Sequence, residues 1–168
     1  IGVIAAIVCG GLVGAINGTL IAKMKVPPFI ATLGMMMLLK GLSLVVSGTK
    51  PIYFSDVPQF TSISQDSFIG YLLPSMPIPN AVLILFMVAL LGTFILNKTV
   101  LGTYTFALGS TEAAVRLSGV DVDRWKIIVY SFAGALCGIA GLMIASRLNS
   151  AQPALGPGYE LDAIAAVV

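Results

Sequence analysis

The segment from Ile1 to Ala22 holds no charged residue, and Asn17 and Thr19 are its main polar side chains. At about 1.5 Å per residue, a helix of this length crosses the roughly 30 Å hydrocarbon layer of a bilayer. Three more runs share the pattern: Phe29 to Ser47, interrupted by Lys40, then Ala81 to Leu96 and Ile127 to Ser146. Another begins at Leu161 and continues to Val168. In lipid every backbone N–H and C=O must be satisfied within the chain, which leaves helices and closed barrels. These runs are too long and too uniformly apolar for barrel strands. The expected fold is all-α, a polytopic integral membrane helix bundle with about five transmembrane segments.

Charge agrees with that reading. Charged residues make up 10% of the chain, against about a quarter in soluble domains. That is too few to coat a soluble surface, whereas a charge at mid-membrane costs about 2.5–3.5 kcal/mol. The nine Lys and Arg sit mostly in short connections rather than in one patch, so they do not point to nucleic acid. Histidine is absent from the sequence, which removes the commonest metal ligand and the usual general base. Cys9 and Cys137 lie in apolar runs without Cys-x-x-Cys spacing, and they read as buried thiols rather than a disulfide or metal pair. The chain opens and stops inside apolar runs, without an initiator Met or a signal-peptide n-region, and so reads as an internal fragment of a longer protein.

Between the runs, Lys23-Met-Lys25-Val-Pro27-Pro28 ends the first span, because proline cannot continue a helix interior. Gly48 to Asn80 carries Pro51, Pro58, Pro74, Pro77 and Pro79 and reads as an extramembrane loop, with a short interfacial helix around Phe68 to Leu73. Thr99 to Lys126 is the most polar stretch. Its middle, Ser110 to Ser118, predicts a short amphipathic helix capped by Ser110 or Thr111 and stopped at Gly119, with Glu112 and Arg116 paired i,i+4. Arg147 to Tyr159 is a Pro/Gly-rich connection. The first span carries small residues at Gly10, Gly11, Gly14 and Gly18, of which Gly14 and Gly18 fit the small-xxx-small spacing for close helix approach, and Gly134, Gly138 and Gly141 in the fourth are expected close-packing positions.

Positive residues tend to face the cytoplasm. Lys23, Lys25, Lys98, Arg116, Arg124 and Lys126 fall on one side, against Lys50, Arg147 and Lys40 on the other. The Thr99–Lys126 region is therefore expected inside the cell and the Gly48–Asn80 loop outside. Glu160 and Asp162, two apart, point to different helix faces and suit the charging of a helix N-terminus better than a proton relay. No catalytic cluster and no Gly-x-x-x-x-Gly-Lys phosphate loop is present. Asn17, Thr32, Met35, Asn149 and Gln152 are candidates to line a solute path; ordinary hydrogen bonds between helices, worth about 0.6 kcal/mol, and simple packing by Met35 are the alternatives.

Four segments carry a family resemblance: Gly11-Leu-Val-Gly-Ala-Ile-Asn-Gly18, Lys25-Val-Pro-Pro-Phe-Ile-Ala-Thr-Leu-Gly-Met-Met-Met37, Tyr104-Thr-Phe-Ala-Leu-Gly-Ser-Thr-Glu-Ala-Ala-Val-Arg-Leu-Ser-Gly119, and Gly158-Tyr-Glu-Leu-Asp-Ala-Ile-Ala-Ala-Val-Val168. In this order they resemble the permease subunits of bacterial ATP-binding-cassette importers for simple sugars, of the ribose, xylose, arabinose and galactose type. The resemblance implies one type II-like permease domain over residues 1–168, multi-pass in the bacterial inner membrane, with no catalysis and no cofactor of its own. ATP would be bound by a cytoplasmic ATPase subunit. Gly109, Glu112, Ala113, Ala114, Arg116, Ser118 and Gly119 would form the region coupled to that ATPase. A second permease subunit, as a homodimer, and a sugar-binding protein at the outer face complete the implied assembly. A permease of the same architecture for a nucleoside, inositol or furanosyl signal is an alternative. An ion-coupled carrier, for which Lys40 is the only core ionisable candidate, is another.

Overall fold

The computed structural model describes residues 2–54, 60, 64, 79–156 and 158–167. The chain runs through α1 (Gly2–Lys23), α2 (Pro28–Ser47), β1 (Ile52–Tyr53), α3 (Asn80–Lys98), α4 (Val100–Ser110), α5 (Glu112–Leu117), α6 (Val122–Leu148), β2 (Ser150–Ala151) and α7 (Tyr159–Val167). Helices α1, α2, α3 and α6 are long and apolar enough to cross a membrane. The fifth apolar run is helical as α7 for nine residues. The expected interfacial helix at Phe68–Leu73 lies outside the described residues.

The centre of the fold is α1 packed against α6. Gly10 lies opposite Gly134, Gly14 opposite Tyr130 and Ser131, and Gly18 opposite Ile127, so the two helices are antiparallel. A Cβ on Gly14 would come within 2.9 Å of the Ser131 Cα, and one on Gly18 within 2.7 Å of the Ile127 Cα. The backbones touch because hydrogen replaces a side chain there. Lipid offers no hydrophobic drive for helix association, so van der Waals contact at such small residues supplies it. The Ser131 hydroxyl adds a hydrogen bond to the Gly11 carbonyl at 3.0 Å. One sequence expectation needs correction here: Gly141 has open space where its Cβ would stand, so it is turned away from the crossing, while Gly11 faces α6 at ordinary contact, 3.8 Å.

The cysteines are also corrected, since Cys9 and Cys137 are exposed. Gly10 and Gly138 occupy the crossing, so the residue before each, about 100° round the helix, points outward. Exposed apolar faces are general: Phe29, Val45, Phe86 and Leu90 lie on the surface, and among the described residues the buried apolar set is Ile21, Ala22, Ala31 and Val122. That inversion suits lipid, where an apolar exterior costs nothing.

Helix ends follow local rules. Pro28 opens α2 at a position where its missing N–H is unneeded. Gly48 closes α2 with φ 59°, while its N–H bonds the Val45 carbonyl and the Thr49 N–H bonds Leu44. Asn149 closes α6 in the same left-handed region, at φ 50°. Beyond it, β1 and β2 pair antiparallel, Ile52 with Ala151 and Tyr53 with Ser150, a ribbon unforeseen in an all-α reading. The Phe54 N–H donates to the Asn149 carbonyl at 3.1 Å, and the fully buried Ser146 hydroxyl donates to the Phe60 carbonyl at 2.6 Å. The Pro-rich connection is thereby tied to the end of α6.

Candidate functional site

The opposite, basic end of the bundle gathers Lys23, Lys25, Lys98, Arg116, Arg124 and Lys126. Here α3 turns into α4 at Thr99, and Gly102 sits so close to Leu96 that any side chain would overlap its backbone. Helix α4 ends at Ser110, and the chain restarts as the six-residue α5 after Thr111 in extended conformation. The expected cap is corrected: Thr111 occupies the N-cap position, but its side chain makes no capping hydrogen bond. The expected stop at Gly119 holds, with φ 78° and an N–H bonded to the Arg116 carbonyl at 3.2 Å. Helix α6 then begins at Val122, earlier than the apolar run suggested, with Asp121 accepting from the Arg124 N–H at 3.2 Å.

That early start places two charges on rigid helix beside α5. Glu112 bonds Arg116 at 3.3 Å within α5 and reaches Lys126 of α6 at 2.7 Å. Arg116 also reaches Asp123 of α6 at 3.3 Å. The Lys126 hydrogen bond, helped by the Lys126 charge and by Arg116, outweighs desolvation and holds the Glu112 carboxyl below its ordinary value of 4.5. Sequence reasoning found the pair inside α5 and missed Asp123 and Lys126. Their spacing of three, which puts them on one helix face, was the available signal. The Tyr104 and Trp125 rings, 4.4 Å apart between centroids, bind α4 to the same end of α6.

With its charged flank clamped, α5 turns Ala113, Ala114 and Leu117 outward, and Leu117 is 90% exposed. These three positions are i, i+1 and i+4, one short apolar stripe. The Ser118 hydroxyl bonds back to the Ala114 carbonyl at 3.0 Å, and Gly109 lies one residue before the end of α4 with open space around it. The expected coupling residues are thus contiguous around α5.

The candidate path residues are not brought together. Asn17 and Thr32 lie nearer the basic ends of α1 and α2, with Met35 a turn further along α2. Asn149 and Gln152 stand beyond the other end of α6. The Thr32 hydroxyl is satisfied by the Pro28 carbonyl at 2.9 Å. Gln152 donates to the Ser150 hydroxyl at 3.2 Å and borders two cavities of about 310 and 470 Å³. Asn17 differs from these, because its Oδ1 is buried without a hydrogen-bond partner among the described residues. Leaving such an acceptor unpaired costs about 1–3 kcal/mol. Lys40 is exposed on α2. Glu160 does charge a helix start, its Oε2 accepting from the Gly158 N–H at 3.0 Å. No group of His, Cys, Asp and Glu able to hold a metal exists among the described residues.

Residues 1–168 match the family described as branched-chain amino acid transport system, permease component. The chain belongs to this permease family. The permease chain is 45% identical over 170 residues to the ribose import permease protein RbsC of Escherichia coli strain K12, covering 100% of this chain and 51% of the relative. It is 40% identical over 153 residues to the L-arabinose transport system permease protein AraH of the same strain, covering 91% and 44%. It is 34% identical over 159 residues to the fructose import permease protein FrcC of Rhizobium meliloti, covering 95% and 44%. The chain therefore spans about half the length of the curated relatives it matches. No solved structure matches it. The membership and the four crossing helices make it an all-α, multi-pass protein of the inner membrane.

Proposed function

We propose that the permease chain belongs to the membrane subunit of an ATP-binding-cassette importer that carries a monosaccharide of the ribose, arabinose or fructose kind inward. The subunit itself is non-catalytic and holds no cofactor. A cytoplasmic ATPase binds ATP, a second permease subunit completes a homodimer, and a sugar-binding protein delivers solute to the ribbon end. The sugar class rests on relatives named for ribose, arabinose and fructose. The basic end faces the cytoplasm on the excess of Lys and Arg there.

The observation that carries the coupling role is α5. Its apolar stripe is free, while Glu112 and Arg116 are pinned to Lys126 and Asp123 of α6. A partner gripping Ala113, Ala114 and Leu117 would move α6, and with it α1 through the glycine crossing. The solute would pass loosely, by polar groups such as Asn17 and Gln152, because tight binding slows release.

The test uses the complete permease in liposomes with its ATPase and binding protein. Labelled ribose, arabinose, fructose and leucine are offered with and without ATP, to the parent and to Glu112→Lys and Arg116→Glu variants. Uptake of a sugar that requires ATP and falls at least about tenfold in correctly inserted variants fits the reading. Uptake of leucine alone would remove the sugar assignment. ATP-independent uptake driven by an ion gradient would remove the importer assignment and turn attention to Lys40.

A further inference from the structure

A groove of about 480 Å³ lies at the basic end, between the α1–α2 turn and α5. Ile21 and Val26 form its apolar wall, and Lys25, Arg116 and Lys126 line it with Glu112 as the single carboxylate. Arg116 and Lys126 are both engaged by Glu112, and Arg116 by Asp123 as well, which leaves Lys25 as the cation in excess. Lys25 is exposed and has no ion pair among the described residues, so positive charge is left over on this wall. Lys25 also takes a left-handed backbone at φ 53°, uncommon for a residue other than glycine, while the Val26 N–H reaches back to the Leu20 carbonyl at 3.5 Å. The turn thus holds an unpaired cation at the mouth of a polar groove.

Depth decides which anion fits. Ile21 is in the last turns of a membrane-crossing helix, and Pro28 begins another, so the groove opens where acyl chains give way to headgroups. We propose that it holds the phosphodiester headgroup of an anionic phospholipid from the adjoining leaflet. The phosphate oxygens would meet Lys25 and the outer edge of Arg116, and the glycerol backbone would lie against Ile21 and Val26. A basic pocket between transmembrane helices is a recurrent form of headgroup recognition. The groove shares Glu112 and Arg116 with the proposed coupling region but lies apart from the apolar stripe of α5, and its occupant does not depend on which solute is carried.

The experiment places the complete permease in nanodiscs of phosphatidylethanolamine with a minor fraction of phosphatidylglycerol or phosphatidylcholine. Lipid retained after extraction is counted by native mass spectrometry. Phosphatidylglycerol should be retained over phosphatidylcholine, and Lys25→Gln should weaken that retention about fivefold, the effect of one interfacial cation. Lys25→Arg should restore it, and Lys98→Gln, at the same end but outside the groove, should leave it unchanged. Equal retention of the two lipids, or equal loss in Lys25→Gln and Lys98→Gln, overturns the site. Displacement by inorganic phosphate at millimolar concentration overturns the lipid as occupant in favour of a free anion. Displacement by the ATPase subunit alone overturns it in favour of a protein contact.

Discussion

Gly14 and Gly141 are both glycines in apolar helices, yet only one is indispensable to the packing. At Gly14 a side chain would run into the Tyr130 carbonyl and the Ser131 backbone, whereas at Gly141 it would meet nothing within 4 Å. Gly14→Val should therefore lower the stability of the detergent-solubilised permease by about 1–3 kcal/mol, the usual cost of overpacking. Gly141→Ala should be neutral or slightly stabilising, since alanine is the better helix former. Thermal melts of the two variants check this directly; equal effects would refute the antiparallel glycine crossing. The spacing of Gly10, Gly14 and Gly18 is legible in the sequence. What spacing alone does not settle is which glycines face the partner, because that depends on the rotation of two helices about their axes. Cys9 and Cys137 were misread for the same reason.

At the scale of elements, α5 is fastened by charges that come from a different helix. Because Glu112 titrates below its ordinary 4.5 when folded, its contribution is fully present above that value and is lost as pH falls through the lower folded one. The side chain is 44% exposed, so the contribution is modest, about 0.2–1 kcal/mol. Amide exchange in α5 should therefore be slow at neutral pH and quicken by about two- to fivefold once Glu112 is protonated on the acid side of 4.5, after intrinsic exchange rates are removed. Lys126→Ala should give that quicker exchange already at neutral pH, leaving α1 unchanged. A pH-insensitive α5 in the parent would contradict the clasp. Run length and turn chemistry made the four spans and the Gly119 stop readable, whereas Pro28, read as a breaker after the first span, opens α2 instead. Helix α4 escaped notice because Val100 to Ser110 is too short for a span, while Gly102 and Gly109 weaken its helical signal. The reach from Glu112 to Lys126 crosses fourteen residues, beyond any i,i+4 argument.

For the whole molecule, the arrangement predicts sidedness. In a background with Cys9 and Cys137 replaced by alanine, a Leu117→Cys variant should react with a membrane-impermeant thiol reagent only from the side that also labels Lys98→Cys. Tyr53→Cys on the ribbon should react only from the other. Labelling of Leu117→Cys and Tyr53→Cys from one side would overturn the crossing pattern. The number and order of crossings could be read from apolar run lengths. The two-stranded ribbon could not, because two residues per strand leave no alternation to detect.

Helix α6 is unbroken for 27 residues, a rod about 40 Å long without a proline. One extremity carries Asp123 and Lys126, and the other carries Ser146 and Asn149, which bond the Phe60 carbonyl and the Phe54 N–H beside the ribbon. Such a beam has no joint in which displacement could be absorbed. Under the coupling role proposed for α5, a push delivered there would travel along one continuous rod to the ribbon end.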